Sequence, residues 1–107
     1  MKRIRWLDAS RKDIRRFPES AKLAAGYQLY RVQLGMDPKD WKPMPTIGAG
    51  VREIRIQAGA AYRVIYAAEF EETIYVLHAF EKKTQKTSKR DIELAKSRFK
   101  ELMRNKS

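Results

Sequence analysis

Hydrophobic and polar positions along the chain change period several times, and each change marks an element. Ile4 and Trp6 alternate with Arg3 and Arg5, the period of two expected of a half-buried strand with one cationic face. Asp8-Ala9-Ser10 closes it. Ser10 is placed to cap a short helix through Arg16, with Asp13 three residues on, until Phe17-Pro18 interrupts. A second helix is expected from Pro18 to about Leu34, because Leu23, Tyr27, Tyr30 and Leu34 recur at helical spacing before Gly35. That row reads as the face turned to the core, with a partner groove as the functional alternative.

Residues 36–50 hold Pro38, Pro43, Pro45, Gly48 and Gly50, which predicts an irregular surface connection. Trp41 lies within it, either to stack on a base or to pack over the core edge. Three strands then follow, Val51 to Gln57, Ala61 to Ala68 and Thr73 to Phe80, joined by Ala58-Gly59-Ala60 and by Glu69-Phe70-Glu71-Glu72. Connections this short require antiparallel hairpins. Ser88, with Asp91 at the third position, opens a last helix whose buried stripe is Ile92, Ala95, Phe99 and Leu102, with Lys96, Arg98, Lys100 and Arg104 on other faces. The fold class expected is α+β, a small antiparallel sheet with two N-terminal helices and one C-terminal helix packed on it, in one domain over residues 1–107.

Charge changes the picture from architecture to partner. The chain has 24 Lys and Arg against 13 Asp and Glu, a net +11 on 107 residues, which points to an anionic partner. No apolar run approaches the roughly 20 residues of a membrane span. The basic N-terminus lacks the apolar stretch of a secretory signal, and cysteine is absent, so mature sequence in a reducing cytoplasm is expected. A thiolate nucleophile is excluded. With one histidine, a dedicated zinc site is not expected, nor any cofactor.

The candidate chemistry sits where the last strand ends. Tyr75-Val76-Leu77-His78-Ala79-Phe80-Glu81-Lys82-Lys83-Thr84-Gln85-Lys86-Thr87 places the only histidine, an aromatic ring and several lysines together. A phosphodiester would use all three: cations for the non-bridging oxygens, Phe80 under a base, His78 for proton transfer. His78 shares parity with Ile74 and Val76, so a buried structural role stays open. Arg63, inside the apolar run Tyr62 to Tyr66, needs an ion-pair partner such as Glu53 or an exposed anion-binding face.

Three stretches, Gly50 to Ile56, Tyr62 to Tyr66 and His78 to Thr87, give the chain a resemblance to the RelE/ParE toxin superfamily, nearest to its HigB-like, phage-associated branch. The resemblance implies the toxin of a type II toxin–antitoxin system, an endoribonuclease that cleaves messenger RNA on the ribosome and is held inactive by a cognate antitoxin, expected to be of helix-turn-helix type. By position the active surface maps onto Arg55, Arg63, His78, Lys82 and Lys83, with Phe80, Lys86, Lys89, Arg90, Arg5, Arg11 and Lys12 as further contacts to RNA. Metal-free cleavage uses the ribose 2′-OH as nucleophile, so the protein has only to orient, move protons and stabilise the phosphorane. The alternative is a ParE-like gyrase inhibitor or a non-catalytic basic binding module.

Overall fold

The computed structural model describes residues 1–68 and 72–106. In chain order these form β1 (Arg3–Trp6), α1 (Ser10–Arg15), α2 (Glu19–Gln33), β2 (Trp41–Pro43), β3 (Val51–Gln57), β4 (Ala61–Ala67), β5 (Thr73–Glu81) and α3 (Lys89–Lys106). The five strands make one sheet in the order β1-β5-β4-β3-β2. The architecture is the expected α+β. One edge differs from the all-antiparallel expectation: β1 runs parallel to β5, Ile4 opposite Ile74 and Trp6 opposite Val76. At the other edge, β2 pairs with β3 inside the segment that Pro38, Pro43 and Pro45 mark as irregular. A three-residue edge strand tolerates a proline at its end, because only one side must donate to the ladder.

The β3–β4 hairpin runs from Val51 opposite Ala67 to Gln57 opposite Ala61. Gly59 turns it with φ of +77°. Of the connection assigned to Glu69-Phe70-Glu71-Glu72, residues 69–71 lie outside the described residues.

Strict alternation along β5 is broken by a bulge. Ile65 faces His78, but the next residue, Tyr66, faces Val76, so Leu77 is extra. The extra residue reverses the parity of everything after it. Leu77 and Phe80 therefore share the α3 side of the sheet, while Val76 and Ala79 share the other.

Two apolar layers result. On one side Ile54, Ile56, Val64, Tyr66, Ile74 and Val76 meet α1 and α2. On the other, Val51, Ile65, Leu77 and Phe80 meet Ala95 and Leu102 of α3, with Met44 and Ile47 from the loop after β2. Ile92 and Phe99 pack against this second layer as the sequence stripe requires.

Helix α2 departs from the expected face. Leu23, Tyr27, Tyr30 and Leu34 are exposed, at 65%, 50%, 45% and 46%, whereas Ala21, Ala25, Leu29 and Val32 are buried. Both rows recur at helical spacing. The alanine row wins because a helix presenting small side chains sits closer to the sheet, where dispersion contacts are densest. Its C-terminus closes as expected of Gly35, which takes φ of +86° while Gly35 N–H donates to Val32 O and Met36 N–H to Arg31 O, the double bond of a Schellman motif. Ser10 also differs: α1 is preceded by Ala9, no side chain caps it, and Ser10 is wholly buried in its first turn.

Candidate nucleic-acid interface

Antiparallel register aligns charge across the sheet. Arg55 lies opposite Arg63, and Arg63 opposite Phe80, so two guanidinium-bearing positions are neighbours on the α3 side of the sheet. One step along, Glu53 lies opposite Ile65 and is 0% exposed. A bare carboxylate there would be costly, and the surroundings compensate it in part, with Oε1 left without a hydrogen bond. Thr87 donates a hydrogen bond to Glu53 Oε2 at 2.8 Å. Arg63 Nε stands 3.6 Å from Oε1 and Lys42 Nζ 3.9 Å away. The Arg63 side chain, 12% exposed, also donates to the Tyr62 carbonyl oxygen. Of the two roles open to Arg63, the ion pair with Glu53 is formed.

Lys42, Arg55, Lys82, Lys86 and Thr87 line a groove of about 490 Å³ beside this carboxylate. Asp40, exposed, stands 3.9 Å from Arg55 Nη1, yet it and the one buried anion leave these cations in excess. The consequence is visible at Lys82, whose pKa is lowered by partial burial first and then by repulsion from Arg63, Lys42 and Arg55, with Glu53 opposing. An ammonium held in such a field is a better proton donor than an ordinary lysine, and the field itself invites a phosphate.

The segment bearing these lysines is held at both ends. Lys82 N–H continues the ladder to Ala61 O at 2.8 Å. The Thr84 hydroxyl donates to the Lys86 carbonyl. Ser88 then caps α3, accepting from Asp91 N–H at 3.2 Å while its own hydroxyl donates to the Asp91 carboxylate at 2.6 Å, as its spacing predicts.

His78 stands apart from the groove. It is 5% exposed, its Nε2 is 2.7 Å from Asp91 Oδ1, and its Nδ1 is 3.4 Å from Arg98 Nη1 and 3.8 Å from Asp13 Oδ2. The parity assigned to it with Ile74 and Val76 is reversed by the bulge. Arg98, expected on an outer face of α3, is buried instead; it donates to Leu77 O at 2.8 Å and approaches Asp8 and Asp13. This network joins α1, β5 and α3. Their grouping was not legible in sequence, since a histidine, an arginine and three aspartates far apart carry no shared spacing.

Phe80 is 9% exposed, with its ring stacked on His78 at 4.9 Å between centroids. That arrangement leaves only its rim for a base. His78, Phe80, Lys82, Lys83 and Arg90 border a second hollow of about 350 Å³, and Lys82 is common to both. Lys86, Lys89 and Arg90 are exposed around the start of α3, whereas Arg5 sits on the far edge strand β1 and Arg11 and Lys12 on α1. The structure thus gathers Arg55, Arg63, Lys82 and Lys86 and leaves Arg5 outside. Lys42 was missed by the sequence reading, because a lysine between prolines gives no sign of the strand that carries it. Trp41 neither projects freely nor lies buried: Arg52 stacks over its ring at 4.1 Å. Among the described residues no three His, Cys, Asp or Glu side chains are grouped to hold a metal ion.

The profile of the phage-derived Gp49-like proteins matches residues 12–100, spanning the helices, the sheet and the lysine segment. The chain belongs to that family. This membership agrees with the RelE/HigB-type resemblance carried by the three sequence stretches. Among solved structures, the Gp49-like chain is similar to one in the toxin–antitoxin complex RelBE2 from Mycobacterium tuberculosis, with a TM-score of 0.53 at 18% identity, covering 76% of this chain and 98% of that one. The likeness is one of fold, RelE-like. No curated protein matches the Gp49-like chain. No described helix is long and apolar enough to cross a membrane.

Proposed function

We propose that this chain is the toxin of a toxin–antitoxin pair and that it acts as an endoribonuclease on messenger RNA, docked on the ribosome in the cytoplasm. The observation that carries the reading is the excess of cations over the buried Glu53 and the exposed Asp40 at the Lys42–Arg55–Arg63–Lys82 cluster. Membership of the Gp49-like family and the fold shared with a chain of a toxin–antitoxin complex support it.

In this reading the scissile phosphate occupies the groove. The ribose 2′ oxygen attacks the phosphorus, the 2′ proton leaves to a base, and the bond to the 5′ oxygen breaks as that oxygen is protonated. Arg55 and Arg63 hold the non-bridging oxygens, whose charge grows in the transition state. Lys82, with its lowered pKa, is the group best placed to give a proton to the leaving oxygen. Lys83 and Lys86 hold the flanking backbone, and Lys89, Arg90, Arg11 and Lys12 contact ribosomal RNA without reading sequence. His78, enclosed by Asp91, Asp13 and Arg98, keeps α3 and the lysine segment in place rather than exchanging protons with substrate.

Brief induction without an antitoxin, followed by mapping of RNA 5′ ends and by a supercoiling assay, tests the proposal. New ends within translated regions are expected. Intact transcripts with gyrase-linked DNA breaks would replace the ribonuclease by a gyrase inhibitor, and neither effect would remove the toxin reading altogether.

A further inference from the structure

The most exposed side of α2 is its second apolar row. At about 100° per residue, Leu23, Tyr27, Tyr30 and Leu34 fall within about 60° of one another, opposite the buried Ala21, Ala25, Leu29 and Val32. A helix apolar on both faces is normally covered on both. A row of large side chains each nearly half exposed or more forms a patch on the order of a few hundred Å², the scale at which patches mark binding sites.

Charge decides what covers it. Lys39 Nζ lies 5.7 Å over the Tyr27 ring, Arg31 follows Tyr30 with its Nε donating to Asp37 O, and Lys22, 3.2 Å from the exposed Glu19 carboxylate, precedes Leu23. A second copy would bring +11 onto +11 and set these cations against their own kind. A partner with an apolar row edged by Asp and Glu meets both the row and its rim.

We propose that the outer face of α2 is the docking surface for the antitoxin, through an acidic amphipathic helix laid along Leu23, Tyr27, Tyr30 and Leu34. The inference rests on the toxin reading and adds where the antitoxin is held. Glu53, Arg55 and Arg63 lie on the α3 side of the sheet, and α2 covers the other. The antitoxin is therefore anchored on the face turned away from the cationic groove. Inhibition comes from bulk that keeps the toxin off the ribosome, or from a segment that reaches round the sheet edge.

The test uses the full chain and the product of the reading frame encoded beside it. Growth rescue on co-expression comes first: failure of rescue overturns the toxin reading, and this inference with it. Given rescue, hydrogen exchange in the purified complex should slow across residues 19–34. Leu23→Ser with Tyr27→Ser should weaken the complex at least 30-fold at an unchanged melting temperature and with RNA cleavage intact. Lys22→Glu with Lys39→Glu, which leaves the apolar row in place, should weaken it about tenfold. Arg55→Ala should leave the complex within threefold. Rescue with α2 exchanging as in the free chain, or with the serine variant binding within threefold, overturns the docking site. So does a dimer of the chain alone that the serine variant dissolves.

Discussion

Arg63 pairs with the buried Glu53 and lies opposite Arg55, which lines the groove, so one substitution there should move two observables. Arg63→Ala leaves a wholly buried carboxylate with Thr87 and the half-exposed Lys42 at 3.9 Å, and loss of one partner of a buried pair costs about 3 kcal/mol. Cleavage should fall by about 100-fold or more on the protein that remains folded, the usual loss for one preorganised donor. Replacing Glu53 by Gln in the same chain should return part of the stability and none of the cleavage, which a double-mutant cycle by thermal unfolding and single-turnover kinetics would read. Lys82 supplies a pH signature. Its folded pKa lies below the ordinary lysine value, so between the two the unfolded chain holds the extra proton, and stability contributed by this group rises with pH across that window. RNA affinity runs the opposite way, declining as Lys82 loses its charge below the usual lysine range. Carbon-13 titration of the Lys82 ε position should show the early midpoint, and Arg63→Gln should raise it; an ordinary midpoint in the intact chain would take Lys82 out of the proton-transfer role. Arg63 was legible in sequence because arginine inside an apolar strand is anomalous, whereas Lys42, between prolines, was not. A buried role for His78 was left open in sequence and is what forms, but the side of the sheet and the partners were not legible, since they depend on one extra residue in β5 that no local pattern announces.

At the scale of elements, legibility followed the contrast between faces. Helix α3 has one apolar stripe and its buried residues were read correctly save Arg98, whose polar partners come from β5, Asp8 and Asp13. Helix α2 has two, and larger side chains misdirect the choice. Strand β2 is three residues long, its existence decided by β3 rather than by its own prolines. The join between the lysine segment and α3 offers a clean test. Ser88→Ala removes the cap and one hydrogen bond to Asp91, costing about 1 kcal/mol in thermal unfolding. Because Thr87 binds Glu53 next door, amides of residues 82–88 should exchange faster in that variant. Unchanged exchange there would show that Glu53 alone holds the segment.

For the molecule as a whole, a net +11 makes nucleic-acid affinity a question of ionic strength. With about five phosphate contacts on single-stranded RNA, the slope of log affinity against log salt should be near −3.5, at about −0.7 per contact. Fluorescence anisotropy with an oligonucleotide lacking a preferred site measures it, and a flat response would assign the charge to solubility or antitoxin capture. The parallel pairing of β1 with β5 has a different kind of consequence. The strand partner of Arg3 to Trp6 is Thr73 to Val76, some 70 residues on, and the knot of Asp13, His78 and Arg98 joins positions as far apart as 13 and 98. Contacts so distant in sequence form late and slowly. During its own translation the polypeptide can gather α1, α2 and the β3–β4 hairpin, but its first strand has no ladder partner until residues 73–76 are clear, and Ser88 has no helix to cap until α3 emerges. Under the proposed toxin reading, the cationic groove is therefore unfinished while only residues 1–88 have been synthesised.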